Sequence, residues 1–135
     1  MPFDMRFFIT FVLAVVSAAC VDPPTPPEDM TGVWGGEHAR LTILQDGGDF
    51  EFDCAHGALA TRLAPDRDGR FTASGYYVAE RGGPVRDDVP EVRQPTVYSG
   101  QVDGATLTFR FTVSEQQFGP FTVIRDRPPA LYKCL

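Results

Sequence analysis

The sequence predicts an all-β protein folded as a single small antiparallel up-and-down barrel of about eight strands. Three observations favour this fold class. The chain has 135 residues, a length that allows one domain. From residue 31 onward apolar and polar residues alternate with a period of two, and no stretch keeps a helical period. Turns rich in Gly, Asp and Pro separate the alternating runs. A two-sheet β-sandwich is the alternative, because alternation alone does not distinguish the two architectures.

The composition of the chain limits the partners that it can bind. Lys and Arg together number 12 against 18 Asp and Glu, which gives a formal net charge of −6. Nucleic-acid binding requires a clustered basic surface, so we predict no nucleic-acid partner. The hydrophobic content of 43% is ordinary for a folded domain and too high for a disordered chain.

The first element in the chain is an apolar N-terminal run with the features of a secretory signal peptide. Residues 7–19 carry no charge and follow Arg6. This run is shorter than the roughly 20 apolar residues of a membrane-spanning helix, and it ends in small residues. We therefore predict that residues 1–19 are a signal peptide; a buried core helix is the alternative.

The end of this run, VSAAC, resembles the lipobox of bacterial lipoproteins, with Ala18, Ala19 and Cys20 fitting the pattern. In that family the cysteine is diacylated and becomes the new N-terminus, which implies that Cys20 is the lipidation site. Ser17 stands where leucine is usual, and ordinary signal peptidase also accepts this run, so plain secretion is the alternative. Residues 20–30 contain four prolines and are typical of a semi-extended tether of about 3 Å per residue.

The lipoprotein resemblance also implies a cellular location. A chain of this class is exported and held at the bacterial cell envelope by its acyl chains. Asp at the residue after the cysteine is associated with inner-membrane retention in that family, and this chain has Val21 there and Asp22 next. The resemblance therefore implies the outer membrane, with the domain of residues 31–135 facing the periplasm.

Two hairpins are predicted from alternation and turn residues. In the first, a turn at residues 46–47 would place Leu41 opposite Phe52 and Ile43 opposite Phe50. In the second, a turn at Asp103-Gly104 would place Tyr98 opposite Phe109. The remaining strand candidates, with the run from Val33 to Leu44 counted as the first strand of eight, are residues 57–63, 70–79, 120–125 and 130–134.

Closing eight such strands into a barrel removes the unpaired edges of the sheet. A barrel of this size is filled by side chains or holds one small ligand, and the 11 Phe residues would supply the filling. Once Cys20 is assigned to lipid, Cys54 and Cys134 remain, and an even pair in an exported chain predicts a disulfide. A reactive thiol pair or a metal site is the alternative. We expect a monomer.

The motif Gly32-Val33-Trp34 at the start of the first strand resembles the G-x-W motif of the calycin group, which comprises lipocalins, avidins and small protease-inhibitor barrels. The resemblance implies that Trp34 closes one end of a barrel and stacks on an arginine of the last strand, for which Arg125 and Arg127 are available. Strict alternation would place Trp34 on the face opposite Leu41. We therefore expect a β-bulge at Gly35-Gly36 that turns it inward.

The two histidines are the first candidates for chemistry. Alternation places His56 on the inner side with Phe52 and Cys54, and His38 on the outer side with Arg40. They would share a zinc or copper ion only if the strand were bulged between them. We therefore predict a hydrogen-bonded structural His56, a solvated His38, and neither a metal nor another cofactor.

The segment Arg81–Pro95 is the one long connection, and long connections in compact domains are often functional. Its mixed charges allow it to fold back through ion pairs and to cover one mouth of the barrel as a lid or a partner contact. A solvated loop without a role is the alternative. The residues predicted to contact a ligand or partner are Trp34, His56, Arg81, Arg86, Asp87, Asp88 and Arg93.

The sequence carries no recognisable catalytic motif: G-x-S-x-G, H-E-x-x-H and a phosphate-binding glycine loop are all missing. We predict a protein that is not an enzyme. The expected function is that of an envelope lipoprotein that binds a small or apolar ligand or an envelope protein. An inhibitor of a secreted protease is the alternative, and a hydrolase comes last, because a carboxylate pair leaves no local signature.

Overall fold

The computed structural model describes residues 17–84 and 86–135, so most of the predicted signal peptide lies outside the described residues. They form one closed antiparallel barrel in which each strand pairs with the next and the last pairs with the first. The predicted fold class is confirmed. The strands are β1 (Gly32–Gly36), β2 (Ala39–Leu44), β3 (Gly47–Phe52), β4 (Ala55–Leu59), β5 (Arg70–Ala79), β6 (Gln94–Asp103), β7 (Thr106–Val113) and β8 (Gln116–Arg125).

The two ends of the barrel carry different connections. The N-terminal end holds the start of β1, the turns after β2 and β6, and the connection 60–69. The far end holds the turns after β1, β3 and β7, and the connection 80–93. The C-terminal tail, residues 126–135, leaves β8 at the N-terminal end and runs outside β1 to the far end. Its backbone hydrogen bonds join Asp126 to Val33 and Ala130 to Gly36.

The number of strands matches the prediction, but two of the strands differ. The run predicted as one strand from residue 33 to 44 is broken by a turn at Glu37–His38, with Gly36 paired to Ala39. His38, the second residue of this turn, adopts a left-handed conformation with φ 66°. The predicted strand 130–134 does not form, because only Ala130 makes a bridge there, to Glu37. The candidate strand 57–63 is β4, which begins earlier and ends at Leu59.

Trp34 faces the interior because of this turn. Residues paired across a hairpin share a face, and Trp34 pairs with Leu41. Both side chains are completely buried, at 0% exposure. The predicted bulge at Gly35-Gly36 is therefore wrong: β1 pairs with β2 in regular register, and the change of parity occurs at the turn.

Both predicted hairpins form, each with a register shifted by two residues. The first turn is Gln45–Asp46, so Leu41 pairs with Phe50 and Ile43 with Gly48. The second turn is Gly104–Ala105, so Tyr98 pairs with Phe111 rather than Phe109. A shift of two leaves each residue on its predicted face, which is why the inward and outward sets survive.

The interior of the barrel is a continuous cluster of apolar side chains. β8 contributes Phe118 and Phe121, which are three positions apart yet both pack on this cluster. A bulge in β8, opposite the stretch Phe109 to Phe111 of β7, supplies the extra residue that turns both rings inward. The largest fully buried side chains are Trp34, Tyr98, Phe50, Phe109, Phe111, Leu41, Leu107, Val102 and Val123.

Cys54 and Cys134 are joined in the structure, as predicted. Their Cα atoms lie 4.9 Å apart, within the normal range for a disulfide. Cys54 occupies the turn between β3 and β4 with φ 50°. The bond therefore fastens the C-terminal tail to the far end of the barrel.

Candidate functional site

The barrel interior is filled by aromatic rings. The rings of Phe50 and Tyr98 stack with centroids 4.1 Å apart, and Phe52 lies 5.1 Å from Phe111 and 5.2 Å from Phe121. The Tyr98 hydroxyl donates a hydrogen bond of 2.7 Å to the Tyr76 carbonyl oxygen, and burial raises the pKa of Tyr98. A ligand could enter this space only by separating stacked rings. The interior is therefore a packed core.

Trp34 and Arg125 close the N-terminal end. The Arg125 guanidinium lies over the indole ring, 4.7 Å from its centroid, and the two residues are paired between β1 and β8. The Trp34 Nε1–H donates to the Met30 carbonyl oxygen at 3.1 Å. Of the two candidate arginines, Arg125 makes the stack, whereas Arg127 lies in the exposed tail. Trp34 is completely buried, so it offers no contact to a ligand or partner in this state.

The segment that precedes β1 is only partly a free tether. The Gly104 backbone N–H donates to the Thr25 carbonyl oxygen at 2.8 Å, and Met30 is buried in the core. Residues 25–31 therefore pack on the N-terminal end of the barrel. Val21, by contrast, is 89% exposed.

Residues 91–93, the end of the connection 80–93, contact the outer wall of the barrel near the far end. Glu91 contacts His56 of β4, and the Arg93 guanidinium lies 4.4 Å from the ring centroid of Tyr76 of β5. Both target residues alternate with inward-facing neighbours and point outward. The contacts of Glu91 and Arg93 are therefore with the outer wall. They are not with the mouth of the barrel, where the sequence predicted a lid.

His56 is held between two carboxylates. Its Nδ1 atom lies 2.9 Å from Glu80 Oε1, and its Nε2 atom lies 3.0 Å from Glu91 Oε1. Both ring nitrogens can donate at once only in the protonated imidazolium. With both nitrogens engaged, the ring has no free position from which to act as a general base. We call His56, Glu80, Glu91, Arg93 and Tyr76 the His56 cluster.

Glu80 is the fixed member of this cluster. Burial acts to raise its pKa, but hydrogen bonds from Lys133 and His56 outweigh that effect and hold the pKa of Glu80 below its ordinary value. The Lys133 Nζ atom lies 3.0 Å from both carboxylate oxygens and also donates to the carbonyl oxygens of Phe52 and Ala55. The C-terminal tail therefore anchors Glu80 to the barrel.

The predicted inward position of His56 is wrong. Phe52 and Ala55 pair across the turn Asp53–Cys54, which reverses the parity, so that His56 pairs with Glu51 on the outer face. Val78, which lies opposite His56 in β5, also faces outward yet is only 5% exposed. This part of the outer wall is therefore covered by chain from outside the barrel.

The two histidines are separate in the structure. His38 pairs with Asp53, Nδ1 to Oδ2 at 2.5 Å. Burial acts to raise the Asp53 pKa, but hydrogen bonds from the Tyr132 backbone N–H and from His38 keep the pKa of Asp53 below its ordinary value. Within residues 17–84 and 86–135, no three His, Cys, Asp or Glu side chains are grouped as a metal site.

The other charged residues of the connection are solvent-exposed. Arg86 pairs with Asp88 at 3.1 Å, and both side chains are mostly exposed. Arg81 and Asp87 are exposed as well. Of the predicted contact residues, the structure thus brings His56 and Arg93 together through Glu91, and it joins Arg86 and Asp88 in an exposed ion pair.

Sequence reasoning missed the apolar residues on this surface. Val92 is 73% exposed, Val89 is 58% exposed, and Val97 at the start of β6 is 49% exposed. In the connection, the charged residues Glu91 and Arg93 are turned towards the wall while Val92 between them faces solvent. This reverses the usual arrangement, in which valines pack inward and charges face water. The pattern of the segment V-P-E-V-R, in which valines and charged residues are interspersed, was the feature of the sequence that could have indicated this arrangement.

A second surface feature is a cleft of about 620 Å³ between the C-terminal tail and β8. Glu37, His38 and Arg127 line it together with Phe121 and Thr122. The cleft is open to solvent and borders the β1–β2 turn, and the residues that line it include no member of the His56 cluster.

Comparisons with protein-family models, with curated proteins and with solved structures found no match for this chain. No helix suited to crossing a membrane occurs in the part of the chain that the structure describes.

Proposed function

We propose that this chain is a non-catalytic lipoprotein of the bacterial cell envelope that binds an envelope protein through the outer surface of its barrel. The observation that carries this proposal is the filled interior: stacked rings such as Phe50 and Tyr98 occupy the space that a small ligand would need. The sequence predicts either a ligand inside the barrel or a protein partner outside it. The packed interior favours the protein partner.

The surface best suited to a partner is the connection with its exposed valines. Protein interfaces place apolar side chains at their centre and charged groups at the rim. Val89 and Val92 supply an apolar centre, and Arg86 and Asp88 supply a rim close by in the chain. The contacts of Glu91 and Arg93 hold this segment against the barrel, which lowers the entropic cost of binding.

The anchor would sit at the opposite end of the molecule. Thr25 is fixed at the N-terminal end of the barrel, so residues 21–24 are the free length between the barrel and Cys20. At about 3 Å per residue this length holds the barrel roughly 12 Å from the acylated cysteine. The far end and the connection would then face away from the membrane.

The anchor is tested by the intact, non-reduced mass of the protein purified from its own cell envelope. We expect a chain that begins at Cys20, carries acyl mass and lacks two hydrogens for the Cys54–Cys134 bond. An unmodified Cys20 would contradict the lipoprotein proposal. A tightly bound small molecule in the non-denatured mass would instead favour a ligand binder.

The partner surface is tested by photo-crosslinking in cells. A photoreactive side chain is placed at Val92, or as a matched control at Val33, which is 41% exposed on the outer face of β1. We expect one crosslinked protein of defined mass from position 92 and none from position 33. Equal labelling from both positions, or none from either, would contradict recognition through the connection.

A protease inhibitor is the second candidate, favoured by the combination of a filled interior and a fixed N-terminal segment. Residues 21–23 are exposed, and they precede a segment that is held on the barrel from Thr25. Inhibition of a secreted protease that is lost when residues 21–24 are deleted, while the barrel stays folded, would support this candidate over the connection surface.

A further inference from the structure

The hydrogen bonds of His56 require its ring to be protonated when Glu91 is docked against it. A neutral imidazole has one N–H donor and one lone pair. With Glu80 at 2.9 Å from one nitrogen and Glu91 at 3.0 Å from the other, a neutral ring would point its lone pair at a carboxylate. Only the imidazolium satisfies both partners, and charge-assisted hydrogen bonds of this kind are the stronger type.

We propose that His56 is a protonation-controlled latch that fixes residues 91–93 of the connection on the barrel wall and thereby holds the exposed Val92 in place. Loss of the proton releases Glu91, and the segment around Val92 leaves the wall. The latch is a property of the chain alone; its role in recognition rests on the proposed function.

Glu91 is the partner that leaves, because Glu80 is held independently. Lys133 bonds both oxygens of Glu80 at 3.0 Å and is itself bonded to two backbone carbonyl oxygens. Glu91 lies in the connection with its side chain about half exposed, and its other ion pair, to Arg93, is longer at 3.6 Å. A neutral ring therefore keeps its N–H directed at Glu80 and repels Glu91.

The charges around His56 come from every element packed against it. On the barrel, Glu51 of β3 lies opposite His56 and pairs with Arg40 of β2 at 2.8 Å. Lys133 of the tail faces Glu80, and Arg93 of the connection faces Glu91. These three carboxylates each have a cation of their own, and a fourth, Asp49 of β3, lines the same cleft as His56. The latch depends on hydrogen-bond donors at the ring rather than on a net negative field.

The docked form contains the protonated ring, and this sets the direction of the pH dependence. Docking is favoured while His56 is protonated and is lost when the ring loses its proton as the pH rises. The protonation of Glu80 limits docking in strongly acidic solution. Its pKa is held below the ordinary value, so its carboxylate persists into more acidic solution before protonation removes its hydrogen bonds.

The test is nuclear magnetic resonance of the full-length chain, with the order parameters of the Glu91, Val92 and Arg93 amides and the ¹⁵N shifts of the His56 ring followed together. On the acidic side of the measured midpoint of the ring titration we expect order parameters near 0.8 for these amides. On the basic side we expect values below about 0.6, and the midpoint of this change should equal that of the ring titration. A connection that stays ordered while His56 deprotonates, or is disordered on both sides of the midpoint, overturns the latch.

Two variants give opposite results if the latch is correct. His56→Gln cannot form the imidazolium, so the connection should be mobile on both sides of the wild-type midpoint. Glu91→Gln offers an amide that can donate to a neutral ring or accept from a charged one, so the connection should stay docked on both sides. His38→Gln is the matched control and should keep the wild-type transition. Identical behaviour of His56→Gln and His38→Gln would refute the proposal.

These outcomes are independent of any partner. If the latch is refuted, the crosslinking result at Val92 still decides the proposed function. If the latch is confirmed but Val92 gives no crosslink while the connection is docked, recognition through this surface is refuted and the conformational change still stands.

Discussion

Arg125 connects the last strand to the segment that precedes the first. Its guanidinium stacks on Trp34, and its Nη2 atom donates to the carbonyl oxygens of Asp29 and Thr31. A planar group with several donors can stack and bond at the same time, which a lysine ammonium cannot do. One side chain therefore closes the barrel wall and fastens the N-terminal segment.

Arg125→Lys tests this double role. We expect a loss of about 1–2 kcal/mol in the free energy of unfolding, because the stack and the backbone hydrogen bonds are weakened together. Urea denaturation of the oxidised chain measures the loss. Arg127→Lys, in the exposed tail, should change stability by less than about 0.5 kcal/mol. Equal effects of the two variants would show that the stack contributes nothing.

At the scale of the strands, glycines decide how closely neighbouring backbones approach. A Cβ atom at Gly57 of β4 would lie 2.3 Å from the Tyr98 hydroxyl and 2.5 Å from the Tyr76 carbonyl oxygen. The hydrogen bond between Tyr98 and Tyr76 thus occupies the space that a side chain at position 57 would fill. Gly104, in the turn after β6, has open space around it and φ 56°.

Gly57→Ala should therefore destabilise the barrel by about 2–3 kcal/mol, because a methyl group displaces the Tyr98 hydroxyl from its acceptor. Gly104→Ala should cost about 1 kcal/mol, the price of a left-handed alanine without a clash. Thermal or urea unfolding measures both. Near-ultraviolet circular dichroism should change for Gly57→Ala alone, and the reverse order of effects would contradict the close approach.

Gly47 and Gly48 illustrate a limit of prediction from the sequence. Most strand runs and the inward faces of the two predicted hairpins followed from alternation, because the period of two is set by the strand itself. Closure into a barrel did not follow from alternation, which a two-sheet sandwich would also show. The first turn was predicted one residue late, at residues 46–47, because Gly47 was assigned to the turn. Gly47 and Gly48 are both strand residues, and their Cβ atoms would meet the carbonyl oxygens of Leu59 and Thr42 at 2.9 and 2.7 Å. Such an approach depends on a distant strand and leaves no local signal.

The candidate site was predictable only in part, for the same reason. The length and charge of the connection singled it out, and Arg93 and His56 were among the predicted contacts. Their meeting through Glu91 depends on the turn at Asp53–Cys54, which places His56 on the outer wall. A reversal of parity within two residues is indistinguishable in sequence from continued alternation.

At the scale of the whole molecule, the disulfide joins the two parts of the chain that the barrel alone leaves apart. Cys54 and Cys134 are separated by 80 residues in sequence. The bond holds the tail at the far end, where Lys133 reaches Glu80 at 3.0 Å. The tail in turn supports one side of the His56 cluster, although it forms no strand.

The double variant Cys54→Ser/Cys134→Ser should lose roughly 4 kcal/mol of stability, the value that the chain-entropy model gives for a loop of this length. Urea denaturation measures the loss, with Cys20→Ser as the matched background that prevents thiol exchange. We also expect faster proteolysis of residues 126–135 in the double variant while the barrel keeps its β-sheet circular dichroism. An unchanged denaturation midpoint would contradict this contribution.

The order of strands around the barrel has a consequence for how the chain is made. Each strand from β1 to β8 pairs with its successor, so neighbouring hairpins can form as the chain emerges, whereas β1 must wait for β8. The β1–β8 pairing, in which Trp34 lies opposite Arg125, therefore forms last. A nascent chain lacking its final strand exposes two open sheet edges, which are templates for aggregation. A chain that ends before residue 116 would therefore keep two unpaired edges rather than close into a smaller barrel.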